Sequence, residues 1–233
     1  QDDHREQERR PRADGRGDAT VDGRKDRERA AVDDLDVTGG LIRSNIPRFR
    51  LPPEVLDEEF DNILDMGVDL RLNTPVTSMQ ALLDEGYDAV FVGSGAPRGK
   101  DLRCAGRDEA GATGRVHVGI DWLGSVAFGH TESIGKRVLI IGAGNTAMDC
   151  CRTSLRLGAR DVKVVARKPR DQLKASPWEL EDALEEDVDL VTCHSPKAFV
   201  VEDGALKGMT FEVLEYFEED GRHPSLDHLA VLP

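Results

Sequence analysis

An α/β fold built on a parallel sheet is the class that the sequence predicts, and three observations carry it. Short apolar strands alternate with helical stretches from residue 137 onward. Upstream, an amphipathic stretch gives way to strand-like alternation and then to an apolar run that enters a glycine turn. Between the strand RVLIIG and the helix NTAMDCCRTSLRLG stands a GxGxxA loop, Gly142, Gly144 and Ala147.

In chain order, residues 1–36 are expected to be a disordered, charged extension. Val21 is the only side chain larger than alanine in the first 30 residues that could enter a core. Such a segment cannot bury enough apolar area to offset its ordering entropy. Order is expected from Val37. Val55, Leu56, Phe60, Ile63 and Leu64 recur at helical spacing behind Pro52 and Pro53, and Gly67 closes that helix. VDLRLN alternates like a strand, and residues 89–92 read as a buried strand entering the turn GSG. Residues 97–119 are loop-rich and read as a connection, followed by a short helix in IDWLGSVAFGH. Then come strand 137–142, helix 145–158, strand 161–166, helix 177–187 and strand 188–193. Two more strands, in KAFVVED and LKGMTFEVLEYF, are joined by a turn at Asp203 and Gly204.

Composition excludes several function classes. With a net charge of -14 and a pI near 4.9, the chain is no general nucleic-acid binder, because neutralising phosphates takes clustered Lys and Arg. Cys104, Cys150, Cys151 and Cys193 form no CxxC and give no zinc or iron–sulfur ligand set. The histidines lack metal spacing, so no metal site and no catalytic acid or base is assigned. No apolar run reaches the roughly 20 residues of a membrane span. A soluble, cytoplasmic protein is the expectation, and packing is the plain role for Cys150 and Cys151.

The GxGxxA loop carries the chemistry. Gly142 permits a tight turn, Gly144 removes a side chain so that backbone can approach a pyrophosphate, and Ala147 lets the helix pack close to the strand. A structural glycine turn is the alternative; the strand–loop–helix–strand order favours dinucleotide binding, the Rossmann arrangement. After the second strand stand Arg167 and Lys168, where a site for NAD usually has an acidic residue for the ribose hydroxyls. Cations there suit a 2′-phosphate and favour NADPH, with a solvated basic loop as the bland alternative. Trp178, at a helix start, reads as a staple against the sheet rather than a nicotinamide contact.

With these residues in view, GGLIRSNIPRFRLPPEVLDEEF, DAVFVGSGAPRGKDL, GKRVLIIGAGNTAMDCCRTSLRLGA and VVARKPRDQLKASPWELEDALEEDVDL resemble the small subunit of NADPH-dependent glutamate synthase and its relatives, including part of dihydropyrimidine dehydrogenase. The resemblance runs from about Gly39 to Gly221. It implies a two-dinucleotide-binding flavoprotein fold, in which a Rossmann-like NAD(P)-binding domain (135–221) is inserted in a partial FAD-binding domain (37–134), with a divergent tail (222–233). It implies an NADPH-dependent, FAD-containing oxidoreductase that passes hydride from NADPH to flavin and electrons to a partner with iron–sulfur centres. Gly142, Gly144, Asn145, Thr146, Ala147, Arg167 and Lys168 correspond to the NADPH site, with Asn145 equally suited to an N-cap. Gly39, Gly40, Arg43 and Gly95 correspond to positions beside FAD, as do the IPRFRLP segment and Gly93. A first GxGxxG about thirty residues before Gly39 and a late GD motif are not found, so the chain reads as an internal fragment. The alternative is therefore a non-catalytic nucleotide-binding fragment that keeps the NADPH site but lacks a complete FAD site.

Overall fold

The structure, a computed structural model, describes residues 29–32, 37–96, 98–215 and 225–232. Its elements in chain order are β1 (Arg29–Val32), α1 (Gly40–Asn45), α2 (Pro53–Leu64), β2 (Val68–Arg71), α3 (Met79–Asp84), α4 (Arg107–Ala112) and α5 (Gly119–Ala127). There follow β3 (Arg137–Ile141), α6 (Asn145–Arg156), β4 (Asp161–Val165), α7 (Pro177–Glu185), β5 (Asp189–Val191), β6 (His194–Glu202), β7 (Ala205–Leu214) and β8 (Ser225–Leu232).

A parallel three-stranded sheet, β3-β4-β5, lies at the centre. Alternation along its strands sends side chains to two faces. Val138, Ile140, Val162 and Val164 pack on α6 and α7 with Met148, Cys151 and Ala183. Leu139, Ile141, Val165 and Val191 pack the other way, on Met209, Phe211 and Phe199 of the antiparallel sheet β6-β7-β8. The outcome is three layers: helices, parallel sheet, antiparallel sheet. On the far side of α6, Trp122 and Leu123 of α5 close over Cys150.

The segment 37–134 is thinner. Pro53 begins α2, where its missing N–H costs nothing. Gly67, at φ +84, turns the chain out of α2 into β2. Four elements depart from the sequence expectation. Residues 89–92 form no strand, and Phe91 is 95% exposed and Val92 60% exposed. A strand needs backbone partners on its flanks, and none of the described residues runs beside these four. The connection at 97–119 holds a helix, α4, and is stitched to β6: the Phe199 amide donates to Ala105 O at 2.8 Å. The expected disordered extension contains β1, whose Arg29 aligns with Val68 of β2; the rest of that segment lies outside the described residues. The expected tail contributes β8, which pairs with β7.

Candidate functional site

The glycine loop leaves the carboxyl edge of the parallel sheet, where α/β folds bind their ligands. Gly142 still belongs to the sheet through its amide, which donates to Val165 O at 2.8 Å, but its φ of +105 is left-handed, so glycine is required there. Gly144 is the N-cap of α6 and offers no side-chain cap. A Cβ built on Gly142 or Gly144 meets nothing within 4 Å, so the space above both is open. Asn145 and Thr146 begin the helix, and among the described residues their amides have no acceptor. Ala147 is buried in the core between α6 and the sheet. A strand, an open glycine cradle and a long helix with free amides fit a dinucleotide pyrophosphate.

Asn145 does something the sequence did not announce. It is the first helical residue rather than the N-cap, and its side chain spans to the start of α7. The Ser176 amide donates to Asn145 Oδ1 at 2.8 Å, and Asn145 Nδ2 donates to Ser176 Oγ at 3.3 Å. The Ala175 amide donates to Ala143 O at 3.2 Å. The loop before α7 and the glycine loop are thus tied together. No local pattern predicts a contact between residues this far apart.

The end of β4 is equally well fixed. The Ala166 amide donates to Val191 O at 2.8 Å, and Ala166 O accepts the His194 amide at 3.0 Å. Arg167 and Lys168 leave the sheet from this anchored point, are exposed, and have no carboxylate partner among the described residues. By contrast Lys163, inside β4, is paired with Asp161 and Asp189 at 2.9 and 2.8 Å. Cations left unpaired at this edge suit a phosphate.

The four remaining residues gather around α1. Gly39 (φ +107) packs so closely that a Cβ would meet Arg43 Cβ at 3.0 Å and Leu56 Cδ2 at 3.1 Å. Gly40 (φ +45) is open, and Gly95 (φ +67) lies against Leu41. Arg43 is committed to Thr38 O and to Asp57. A cavity of about 230 Å³ beside them is lined by Ile42, Arg43, Ile46, Leu56 and Phe128. Gly39 is therefore accounted for by packing, and Arg43 by its protein partners. Among the described residues only the β3–α6 unit combines strand, glycine turn and long helix.

Cys150 and Cys151 are buried. Burial pushes both thiols up to about 12, and Cys150 lies beside the carbonyl of Gly119. No helix among the described residues is long and apolar enough to cross a membrane.

A glycine cradle at the carboxyl edge of a parallel sheet, with cations at the end of the next strand, defines a dinucleotide-binding α/β protein. The chain belongs to the pyridine nucleotide-disulphide oxidoreductase family, whose model matches residues 68–231. Members of that family are redox enzymes. The NADP(+)-dependent formate dehydrogenase subunit beta of Moorella thermoacetica is 36% identical over 190 residues, 80% of this chain and 26% of its own length. The putative glutamate synthase (NADPH) small chain of Cereibacter sphaeroides is 32% identical over 197 residues, 81% of this chain and 47% of its own. The chain thus spans between a quarter and a half of these curated relatives. Among solved structures, FprA of Mycobacterium tuberculosis in complex with NADPH superposes with a TM-score of 0.69 at 18% identity, covering 88% of this chain and 61% of FprA. That likeness gives the fold, the two-dinucleotide-binding one.

Proposed function

We propose that this chain is the NADPH-handling part of a flavin-dependent oxidoreductase of the glutamate synthase small-subunit type. One observation carries the reading: the open cradle over Gly142 and Gly144 and the cations Arg167 and Lys168, without a carboxylate partner among the described residues, stand on the same edge of one parallel sheet. When bound, NADPH supplies a hydride and FAD accepts it. The chain's own residues bind and orient. Asn145 and Thr146 offer their amides to the pyrophosphate, Gly144 leaves room for it, and Arg167 and Lys168 receive the 2′-phosphate.

The reading divides the chain into a flavin-side unit, 37–134, with Gly39, Gly40, Arg43 and Gly95 nearest the flavin, and a nucleotide-binding unit from 135, to which β8 belongs through its pairing with β7. The names of the two relatives, a subunit and a small chain, support a partner subunit, to which we assign the iron–sulfur centres, in the cytoplasm. A second reading, a nucleotide-binding module without flavin, is favoured by the commitment of Arg43 to Thr38 and Asp57.

Purified chain titrated with NADPH and with NADH tests the first part. Arg167→Glu is expected to weaken NADPH binding roughly tenfold or more, the worth of one charge-assisted hydrogen bond, and to leave NADH unaffected. Equal losses for both nucleotides would remove the 2′-phosphate assignment. The colour of the purified protein separates the two readings: a yellow chain with bound flavin supports the oxidoreductase, a colourless one that binds NADPH supports the module.

A further inference from the structure

Phe49 and Arg50 lie between α1 and α2, on the flavin side, yet both side chains end on the nucleotide-binding unit. Arg50 Nη1 donates to Asp149 Oδ1 of α6 at 2.6 Å, and its Nη2 pairs with Glu179 of α7. Those carboxylates belong to residues only 6% and 3% exposed. The Phe49 ring lies beneath the guanidinium groups of Arg152 and Arg156, 4.9 and 3.8 Å from its centroid. Arg152 in turn binds Asp182 at 2.9 Å and Glu186 at 3.0 Å, and Arg156 binds Glu186.

Arg50 is the cation that Asp149 and Glu179 share. Arg152 reaches Glu179 only at 3.7 Å, and among the described residues Glu179 Oε2 accepts no hydrogen bond. Burial and the neighbouring Glu179 both push the Asp149 carboxyl up, against the pull of Arg50. The desolvation cost of such a cluster offsets most of its attraction. What it supplies is geometry: a planar fork fits between two carboxylates in one arrangement.

The chain of contacts continues past Glu179. Three residues upstream, Ser176 is the N-cap of α7, and the Ser176 and Ala175 amides are the ones that hold Asn145 and Ala143 of the glycine loop.

We propose that Phe49 and Arg50 are positioning residues: they fix the nucleotide-binding unit against the flavin-side segment and, through the start of α7, steady the glycine loop. The consequence for nucleotide binding rests on the reading given under Proposed function; the mechanical claim does not. The test uses the full chain and two variants. In the triple variant Arg50→Met/Asp149→Asn/Glu179→Gln the fork is gone but no buried charge is orphaned, so thermal unfolding is expected near the wild-type temperature. Arg50→Lys keeps the charge, but one ammonium cannot span both carboxylates. Amide hydrogen exchange at Ala175 and Ser176 is expected to quicken roughly tenfold in the triple variant, the size of coupling carried through packed contacts. Arg50→Lys is expected to fall between it and the wild type, and NADPH affinity to decline in the same order. Unchanged exchange at those two amides in a folded variant overturns the proposal; if the triple variant does not fold, the exchange of Arg50→Lys decides in the same way. Faster exchange in a protein that never binds NADPH supports the strut and sinks the nucleotide reading instead.

Discussion

Between residues 37 and 131 the large apolar side chains Ile42, Val55, Ile63, Met66, Phe91 and Val92 stand exposed, whereas from residue 137 to 214 Trp178 is the only described one that does. The nucleotide-binding unit supplies its own neighbours. Each strand of β3-β4-β5 is followed by the element that covers it, so the apolar residues of one element meet those of the next. Residues 37–134 contribute helices with an apolar face and a strand-like run, but among the described residues the sheet they meet is only the two-stranded pair β1-β2. A unit whose partners are local in sequence completes its core; one whose partners are distant shows its apolar surface.

The largest expected effect tests that contrast directly. Phe211 is fully buried between the two sheets, and Phe211→Ala is expected to cost about 3–5 kcal/mol in urea unfolding. Phe91→Ala, at a side chain 95% exposed, is expected to change stability by less than about 0.5 kcal/mol. Cys150 and Cys151 give an independent readout. Their thiols are pushed up to about 12 by burial, so iodoacetamide at mildly alkaline pH reaches them only when the unit opens. Phe211→Ala should speed their alkylation, and Phe91→Ala should not. A large cost at Phe91 would mean that the flavin-side face is covered, and the contrast would break.

A smaller effect separates the two glycine clusters. Gly142 is strained for any other residue by its φ of +105 but has open space above it, so Gly142→Ala is expected to cost about 1–3 kcal/mol through backbone strain alone. Gly144 has φ -107 and the same open space. Gly144→Ala should leave unfolding unchanged and weaken NADPH binding, because its methyl group would occupy the cradle. Gly39→Ala combines strain with collisions on Arg43 and Leu56, so it should lower stability whatever it does to a ligand. Loss of stability in Gly144→Ala without loss of binding would make that loop a turn and nothing more.

The same division explains what the sequence revealed. The strand, glycine loop, helix and second strand around Gly142 were legible because each signal is local: an apolar run, two glycines at fixed spacing, a helical period. Observed bounds fall within two residues of those expected for β3, α6 and β4. Residues 89–92 carry the apolar run of a strand, yet composition cannot say whether flanking strands exist. Strands β1 and β8 depend on pairing with β2 and β7, which polar flanking sequence conceals. The least legible features were side-chain ties across long separations: Asn145 with Ser176, and Arg50 with Asp149 and Glu179. The segment IPRFRLP marked Arg50 as a signature position without indicating what it touches.

The smallest effects are electrostatic, and the degree to which water screens them distinguishes the two units again. The hydrogen bond from Arg156, and behind it Arg152, holds the Glu186 carboxyl below its ordinary 4.5. A depressed folded value means that Glu186 contributes stability above 4.5 and loses it as pH falls through the lower folded value. Asp149 runs the other way. Burial lifts it above its ordinary 3.8 despite Arg50, so its ionisation withdraws stability as pH rises from 3.8 to the raised value. In acid the two terms oppose each other within one cluster. Glu186→Gln should therefore flatten the acid-side loss by up to about 1 kcal/mol, the upper range for a partly exposed ion pair, and Asp149→Asn should steepen it. Within residues 37–134 Arg107 likewise holds Asp101 below its ordinary 3.8, but on the exposed surface. Water and salt screen that pair, so Asp101→Asn is expected to leave the acid unfolding curve where it was. An Asp101→Asn curve that shifted as far as that of Glu186→Gln would show that the flavin-side segment is tied down by its charges to the same degree as the clasp between α6 and α7.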